Sequence, residues 1–367
     1  MKILYDHQTF TNQTYGGISR YYYELISRFN NKDESSCDVS LLLTNNAYLN
    51  GNNYKGLYPF FKNRNFRGKW EIMNSVNQSQ SVKRIRKQEF DILHPTYYDT
   101  YFLNYLKEKP FVVTFLDMIQ EKFATKYEIY IQDEETRKKK KLLLQKASKI
   151  ISISESTKKD IINIYDVDGD KIEVIYLGSS LNCQKKTDSL YPDSRYILFV
   201  GNRSLYKNFN FYLESIAELL KDLQITFVCA GANEFTDSEL ILIKKLGVSK
   251  LVKHYKINDN ILSSLYKNAL AFVFPSLYEG FGIPVLEAFS CECPCLLSTE
   301  GSLPEVGGEA ALYFNPHDAK QICDTLSVLI NNQQLREELI KKGKERLKLF
   351  SWDKTYEQTI NLYESIK

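Results

Sequence analysis

The sequence lacks several features that would place it in familiar functional classes. None of its apolar runs is long enough to cross a bilayer, so a membrane-spanning protein is not expected. The opening residues, MKILYDHQTF, predict a β-strand rather than the apolar core of a secretory leader. The seven cysteines are odd in number and have no regular framework spacing. This pattern predicts a cytoplasmic protein in a reducing compartment, without disulfides.

Two nucleotide-binding fingerprints are also missing. No predicted strand is followed by G-x-G-x-x-G, and the pattern G-x-x-x-x-G-K-[ST] does not occur. These absences argue against a dehydrogenase and against a P-loop kinase. The formal net charge is only +3, which disfavours nucleic acid as a partner.

What the chain does contain is a regular alternation of short apolar runs and amphipathic segments. In the first half, strands are predicted at 2–5, 38–43, 91–93, 111–114, 149–153 and 172–176, and helices at 18–29 and 134–147. In the second half, strands are predicted at 196–200, 224–230, 252–255, 271–274 and 294–298, and helices at 209–219, 238–246, 261–268 and 284–289. Repeated βα units predict parallel sheets covered by helices on both faces.

The length and one polar stretch predict two domains. A chain of 367 residues exceeds one typical domain, and SSLNCQKKTDSLYPDSR at 179–195 is typical of a linker. We therefore expect an α/β protein with two Rossmann-like, doubly wound domains, at 1–180 and 190–350. Ligands of such sheets bind in the crevice at the carboxyl ends of the strands.

The segment PSLYEGFGIPVLEA, residues 275–288, predicts a strand exit, a loop and the start of a helix. Pro284 suits the first helical turn, where its missing N–H is harmless. Glu279 falls in the loop and Glu287 in the first turn. Unpaired N–H groups at a helix start attract anions, and carboxylates accept hydrogen bonds from hydroxyls. An anionic, hydroxyl-rich ligand such as a sugar nucleotide fits this arrangement.

A second segment, GNRSLYKN at 201–208, follows the strand at 196–200. Its cations Arg203 and Lys207 could clamp a diphosphate, since arginine offers a two-pronged donor and lysine a compact charge. Taken alone, the pair is more often two ordinary surface cations. Beside PSLYEGFGIPVLEA, the diphosphate interpretation becomes the better one.

Two loops of the first half could also face a ligand. Gly16 and Gly17 open a helix in YGGISRYYYEL, where the backbone can approach a ligand closely, although a lone glycine pair also occurs in ordinary flexible loops. In DILHPTYY, His94, Tyr97 and Tyr98 follow a predicted strand. Aromatic side chains at a cleft suit sugar faces, so these three residues are candidate acceptor contacts, with a packed or capping role as the alternative for His94.

Together these motifs resemble glycosyltransferase family 4, the retaining, nucleotide-sugar-dependent enzymes of the two-domain GT-B fold. The resemblance rests on YGGISRYYYEL, FVGNRSLYKN and the two glutamates separated by seven residues. It extends through GSLPEVGGEAALYFNPHD at 301–318 and FSWDKTYEQTINLYESIK at the end, so it covers nearly the whole chain. It implies a first domain that binds the acceptor, a second that binds the nucleotide sugar, and a final helix, 352–367, that returns to the first domain.

The resemblance also implies roles for individual residues. Arg203 and Lys207 would hold the donor diphosphate and stabilise it as it leaves, and Glu287 would accept hydrogen bonds from the ribose hydroxyls. Glu279 and the backbone near Phe281 and Gly282 would meet the transferred sugar. The implied catalytic residues are Asp117, Arg203, Lys207 and Glu279. The implied donor contacts are Gly16, Gly17, Arg203, Lys207, Glu279, Gly280, Phe281, Gly282, Ile283 and Glu287.

One position departs from the family. Many relatives carry a histidine before the aspartate in the motif that corresponds to VVTFLDMIQEKF, but here that position is Leu116, followed by Asp117. Either the donor sugar is recognised differently or the activity is altered.

The leading prediction is a metal-independent hexosyltransferase that builds a surface polysaccharide on a glycan or lipid-linked acceptor and needs no cofactor. A GT-B sugar-nucleotide epimerase and a catalytically inactive carbohydrate-binding relative are the alternatives.

Three further patterns have more than one interpretation. The basic clusters at 62–69, 83–87 and 137–141 are either solvated helix faces or a peripheral contact with the anionic inner face of the membrane. DVDGD at 166–170 predicts a turn rather than a calcium loop, because the twelfth loop position is Leu177. Cys291, Cys293 and Cys295 predict small buried residues rather than a zinc site.

Overall fold

The computed structural model describes residues 1–29, 35–49, 56–127, 134–181, 183, 195–203, 205–231 and 233–367. These residues form two compact units. Unit 1 comprises Met1–Tyr176 and Trp352–Lys367, and unit 2 comprises Leu177–Ser351. Most of the predicted linker at 179–195 lies outside the described residues.

Unit 1 contains two parallel sheets of three strands. Strands β1 to β6 span Lys2–Tyr5, Ser36–Val39, Ile92–His94, Val112–Phe115, Lys149–Ser152 and Ile172–Val174. The orders are β2-β1-β3 and β4-β5-β6, and a parallel bridge between Leu93 and Phe111 joins the neighbouring edges. The two sheets therefore continue one another in a parallel sense.

Among the described residues of unit 1, six helices lie between these strands in the chain. Helices α1 to α6 span Gln8–Asn12, Gly17–Phe29, Lys69–Lys87, Ile119–Lys122, Glu134–Lys146 and Glu155–Tyr165. Ser154 caps the start of helix α6, since its hydroxyl accepts a hydrogen bond from the Thr157 N–H. Helix α3 is not predicted from the sequence, because its buried stripe mixes Met73 and Ile85 with polar Asn77 and Ser81.

Unit 2 contains one parallel sheet of six strands in the order β12-β11-β10-β7-β8-β9. Strands β7 to β12 span Tyr196–Val200, Thr226–Ala230, Val252–Tyr255, Ala271–Phe274, Cys295–Ser298 and Ala311–Phe314. Helices α7 to α13 span Phe209–Leu223, Asp237–Lys245, Asp259–Asn268, Ile283–Ser290, Leu303–Gly307, Ala319–Asn331 and Gln333–Leu347. The predicted α/β class with parallel sheets is confirmed.

The last helix, α14, spans Trp352–Glu364 and belongs to unit 1 although it follows unit 2 in the chain. Its Thr355 hydroxyl donates to the Tyr176 carbonyl at 2.7 Å, and the hydroxyl oxygens of Tyr363 and Tyr5 lie 3.0 Å apart. Trp352 and Tyr363 are buried. Polar contacts to β1 and apolar burial thus fix this helix to unit 1.

The parallel topology decides where side chains can meet. In unit 2, the segments that follow β7, β10 and β11 all leave the same edge of one sheet, and they carry Lys207, Glu279 and Ser302. In unit 1, the segments that follow β3 and β4 carry Tyr97 and Asp117. Each unit therefore has one edge on which functional side chains gather.

Candidate functional site

The centre of the unit 2 edge is an ion pair between Lys207 and Glu279. The Lys207 ammonium nitrogen lies 2.6 Å from one Glu279 carboxylate oxygen, and both side chains are largely buried. Lys207 ends a short 3₁₀ helix, Leu205–Lys207, whose Tyr206 carbonyl accepts a hydrogen bond from the Leu277 N–H at 2.7 Å. This backbone bond ties the two loops together and brings the cation and the carboxylate into contact.

The segment that follows β11 stabilises the Glu279 loop through hydrogen bonds. The Ser302 hydroxyl donates to the carbonyls of Glu279 and Phe281, at 3.0 and 2.8 Å. Gly301 has a φ of +62°, and a Cβ there would lie 2.7 Å from the Glu279 carbonyl oxygen. No role was predicted for Gly301 or Ser302, although both lie in the segment 301–318 that carries the family resemblance.

Gly282 precedes α10 in a left-handed conformation, and Pro284 occupies its first turn. Glu287 is the fifth residue of this helix and so lies beyond the first turn, where the sequence predicted it. Its side chain is half-buried and accepts a hydrogen bond from the Tyr266 hydroxyl at 3.1 Å. Burial and the Glu287 charge raise the pKa of Tyr266, so this hydroxyl keeps its proton and remains a donor. Tyr266 thereby orients the carboxylate, a role that no sequence motif indicated.

The structure places Arg203 in a different setting from Lys207. Its guanidinium pairs with Glu239 at 2.9 Å and donates to the carbonyls of Asn233 and Glu234. The ring of Phe235 lies 4.7 Å from the guanidinium carbon, and only 4% of the Arg203 side chain is exposed. Arg203 thus acts as a buried anchor for residues 233–239.

In the Arg203–Glu239 pair, the Glu239 carboxylate accepts several hydrogen bonds. Burial opposes ionisation of Glu239, but hydrogen bonds from Arg203 and Thr236 outweigh it and lower the pKa of this carboxyl. Glu239 also completes a capping box with Thr236 at the start of α8. One guanidinium nitrogen, Nη1, is buried and has no hydrogen-bond partner among the described residues. The two cations of GNRSLYKN therefore belong to two separate ion pairs.

On the unit 1 edge, Leu116 and Asp117 follow β4 and are half-buried. One Asp117 carboxylate oxygen accepts a hydrogen bond from the Ile119 N–H at 3.1 Å, which places Asp117 at the start of α4. Gly17 begins α2, and a Cβ built on it would meet no protein atom within 4 Å. Packing within the described residues does not explain a glycine at this position, whereas a Cβ on Gly16 would clash with the Gln13 side chain.

The predicted acceptor contact of His94 is wrong. Its side chain is fully buried, with one ring nitrogen 2.5 Å from the Tyr363 hydroxyl and the other 2.9 Å from the Thr114 hydroxyl. Burial lowers the pKa of His94 to about 3, so the ring is neutral. Because β3 lies inside the sheet, its last residue points into the core, and His94 connects β4 to the returning helix α14.

Tyr97 and Tyr98 line a cavity of about 180 Å³ at the same edge of unit 1. Tyr97 is half-buried, and Tyr98 is buried with its ring 5.1 Å from that of Phe115. The cavity wall also includes Trp70 and Gln78 of α3. These contacts place both tyrosines beside an open, polar depression.

The basic cluster 137–141 is largely neutralised inside unit 1. Lys138 and Lys139 pair with Glu134 and Glu135 one helical turn away. Lys140 is buried and lies 3.0 Å from a carboxylate oxygen of Glu121. This cluster therefore does not form a free cationic surface. By contrast, residues 61–67 of the first cluster are exposed.

The remaining motifs have structural roles. DVDGD forms the predicted turn, in which Asp166 ends α6 with a φ of +54° and Asp168 caps the 3₁₀ helix Gly169–Lys171. Cys293 and Cys295 are buried, as predicted. No group of three or more metal-ligating side chains occurs among the described residues.

The expected absence of disulfides is wrong, because the structure joins Cys183 to Cys291 at a Cα separation of 5.3 Å. Their separation of 108 positions hides this pairing from any analysis of spacing. No helix of the described part of the chain combines the length and apolarity that crossing a bilayer requires.

Sequence models of two glycosyltransferase families match the chain. The one described as Glycosyltransferase Family 4 matches residues 15–182, and the one described as Glycosyl transferases group 1 matches residues 184–346. The two models together leave only residue 183 and the two ends of the chain unmatched.

Individual relatives agree with these matches. O-antigen chain mannosyltransferase B of Escherichia coli is 29% identical over 234 residues, which cover 60% of this chain and 61% of that protein. O-antigen chain mannosyltransferase RfbU of Salmonella typhimurium is 29% identical over 182 residues, 49% of this chain and 50% of that protein. The matched region thus spans about half to three-fifths of these relatives.

Among solved structures, HepE of Anabaena in complex with UDP and glucose superposes with a TM-score of 0.77 and 16% identity. The superposition covers 100% of both chains. At this level of identity the likeness shows the fold, which is GT-B.

Proposed function

Because this chain belongs to glycosyltransferase family 4 and has its GT-B fold, we propose that it transfers a hexose, with retention of anomeric configuration, from a nucleoside-diphosphate donor. The acceptor would be a glycan or a lipid-linked glycan in the synthesis of a surface polysaccharide. Mannose is the favoured sugar over glucose and N-acetylglucosamine, because the curated relatives described above are named mannosyltransferases.

The observation that carries the proposal is the grouping of Lys207, Glu279 and Glu287 at one edge of the unit 2 sheet. Lys207 and Glu279 lie in contact, and Glu287 lies eight residues after Glu279 in the helix that the same loop enters. A cation for phosphate and a carboxylate for hydroxyl groups, placed after strand ends and in the helix that follows, match the chemistry of a sugar nucleotide. The resemblance adds the loop residues 280–283 and the unit 1 glycines Gly16 and Gly17 to the donor contacts.

The proposed reaction breaks the bond between the anomeric carbon and the diphosphate oxygen. The bonding electrons stay with the diphosphate, whose growing negative charge Lys207 stabilises in the transition state. An acceptor hydroxyl oxygen then bonds to the anomeric carbon, and its proton passes to the departing diphosphate oxygen. Glu279 and Asp117 are the proposed carboxylates near the transferred sugar, and Glu287 would hold the ribose. Tyr97 and Tyr98 would contact the acceptor, whereas His94 is too deeply buried to do so.

The direct test is release of nucleoside diphosphate from a panel of donors, GDP-mannose, UDP-glucose and UDP-N-acetylglucosamine, with and without glycan acceptors. We expect release with GDP-mannose only when an acceptor is present, together with a product that carries one additional sugar. Conversion of the donor to an epimer without an acceptor would favour the epimerase alternative. Donor binding without turnover over the whole panel would favour the inactive alternative.

We also propose that the protein works in the cytoplasm at the anionic inner face of a membrane, and that residues 56–67 make the contact. This segment carries Lys62, Arg64 and Arg67, and it contains no acidic residue. Tyr58 and Phe61 lie among these cations and are more than half exposed. Aromatic rings favour the membrane interface, and each cation near an anionic surface contributes about 1 kcal/mol.

Vesicle co-sedimentation tests this contact. The protein should pellet with phosphatidylserine-containing vesicles at low salt, and binding should weaken as salt rises. A variant with serine at positions 62, 64 and 67 should stay in the supernatant, whereas serine at 138, 139 and 141 should change little, because Lys138 and Lys139 are already paired. A parent protein that fails to pellet at low salt would exclude the proposed contact.

A further inference from the structure

Helix α3 presents a regular stripe of partly exposed side chains next to its buried one. The buried stripe consists of positions 73, 77, 81 and 85. A second stripe lies beside the buried one and also repeats every four residues. It consists of Trp70, Asn74, Gln78, Val82 and Arg86. Residues four apart share one face of a helix, so these five form a continuous line along its length. At 1.5 Å per residue, the helix Lys69–Lys87 is roughly 28 Å long.

All five residues of this stripe line cavities, and the cavities adjoin one another. A cavity of about 350 Å³ lies at the start of the helix, one of about 180 Å³ at its middle and one of about 670 Å³ at its end. The first two share Asn12 and Trp70, and the last two share Gln78 and Tyr101. Shared lining residues place the three depressions side by side along the helix, and we call this row of depressions the α3 groove.

The lining of the α3 groove combines amides with aromatic rings. Its amide side chains include Gln8, Asn12, Gln13, Asn74, Gln78 and Asn104. Each amide offers both a donor and an acceptor, as a sugar hydroxyl requires. The aromatic rings are supplied by Trp70, Tyr97, Tyr101 and Tyr105, among others. Such rings can cover the apolar faces of sugar rings, while few carboxylates line the groove.

Two side chains at the junctions between the cavities could contact a ligand. Gln78 is half-buried at the junction of two cavities and makes no hydrogen bond to any of the described residues. Trp70 is 49% exposed, yet its indole N–H donates to the Asn12 side chain at 3.1 Å. This bond fixes the ring at the junction of the first and middle cavities. A free amide and a fixed, exposed ring at the two junctions suit a chain that continues from one cavity to the next.

We infer that the α3 groove binds an oligosaccharide of at least three sugar units, so that the enzyme extends an existing glycan chain rather than adding the first sugar to a lipid. The inference rests on the proposed transferase function, and it assigns the acceptor of that function to a class. Tyr97 and Tyr98 lie in the middle cavity, which places the proposed acceptor contacts within the same groove.

Binding can be measured without donor or turnover, because Trp70 is a built-in reporter. The chain has only two tryptophans, and the second, Trp352, is 4% exposed. We would titrate the full protein with manno-, gluco- and N-acetylglucosamine oligosaccharides of one to five units and follow tryptophan fluorescence. At least one series should change the emission, with affinity rising up to three units or beyond. Trp70→Phe should abolish the optical signal.

Two glutamines of the same helix provide a matched pair of variants. Gln78→Ala should weaken binding of trisaccharides and longer chains by about two- to tenfold, the loss expected for one neutral hydrogen bond, and leave monosaccharide binding unchanged. Gln80→Ala removes the same group from α3 outside the groove and should leave all affinities unchanged. Equal losses in the two variants, or affinities independent of chain length in all three series, would overturn the inference. Acceptor-dependent turnover alongside such a result would leave the transferase function standing.

Discussion

The Lys207 ammonium lies 2.6 Å from the Glu279 carboxylate, although 72 residues separate the two in the chain. Each group neutralises the other inside a largely buried site, which lowers the cost of holding either charge away from water. A donor diphosphate would offer Lys207 a second, stronger negative partner. The pair therefore positions a cation for a leaving group before any ligand arrives.

Removing this cation should slow the reaction itself. We expect Lys207→Ala to lower kcat by roughly 10²–10³, because one preorganised stabiliser of transition-state charge contributes about 2.7–4 kcal/mol. KM for the donor should rise much less. Steady-state kinetics at saturating donor measures both parameters.

The control for this variant is Lys256→Ala, which breaks an exposed ion pair with Glu234 in the same unit. It should leave both kinetic parameters unchanged. A kcat for Lys207→Ala within threefold of the parent would show that Lys207 only anchors the ground state.

The same cation leads us to expect that transfer needs no divalent metal ion. Lys207 already supplies positive charge at the proposed diphosphate. Activity should therefore survive EDTA, and Mg²⁺ or Mn²⁺ should not increase it. A large loss in EDTA that either ion restores would refute the proposal.

Glu287 should contribute to nucleotide affinity. If its carboxylate accepts hydrogen bonds from the ribose, Glu287→Ala should lose about 1.5–3 kcal/mol per bond, roughly a tenfold to hundredfold loss of affinity. Calorimetry with the free nucleoside diphosphate gives this value. Glu292→Ala, which removes a half-exposed partner of Lys344, is the matched control. Unchanged affinity in a folded Glu287→Ala protein would show that Glu287 does not bind the ribose.

We expect Arg203 to contribute mainly to the stability of the fold. Its pair with Glu239 is buried, and removing one partner of such a pair typically costs about 3–5 kcal/mol. Arg203→Ala should therefore lower the free energy of unfolding by about that amount in urea titrations. The exposed Arg195→Ala is the control and should change it by less than about 0.5 kcal/mol. Parent-like stability combined with a large loss of kcat would instead support the diphosphate role that the motif predicts.

His94 should make the fold sensitive to acid. Its pKa is lowered to about 3 in the folded state, so the unfolded chain binds more protons at this residue between that value and the ordinary pKa of about 6.5. The stabilising contribution is present above the ordinary pKa and is lost as pH falls below it. Between these two pKa values, one such group lowers the free energy of unfolding by at most about 1.4 kcal/mol for each unit that the pH falls.

Urea titrations between about pH 4 and pH 6 test this, because His94→Gln should flatten the pH dependence by that amount. His317→Gln, at an exposed histidine, should leave the slope as in the parent. Parallel slopes for all three proteins would mean that His94 is protonated in the folded state.

Local sequence was sufficient for much of the framework. The strands Lys2–Tyr5, Tyr196–Val200, Val252–Tyr255 and Ala271–Phe274 have the predicted bounds. Tyr196–Val200 and Ala271–Phe274 are uninterrupted apolar runs, the pattern of a strand buried on both faces. Their alternation with amphipathic segments also predicted parallel sheets. Helix α3 escaped prediction because Asn77 lies in its buried stripe, where its amide bonds the backbone of Leu42 and Leu43.

By itself, the sequence determined most of the strands, the parallel α/β class and the motifs that carry Lys207, Glu279 and Glu287, because these depend on local periodicity and short spacing. Only the tertiary structure decided which groups meet. It paired Arg203 with Glu239 instead of placing it beside Lys207, and it buried His94 against Tyr363, 269 residues away. Such contacts depend on which strands are neighbours in a sheet and on which helix returns to it. Linear spacing does not encode these relations, whereas burial and hydrogen bonding enforce them once the chain has folded.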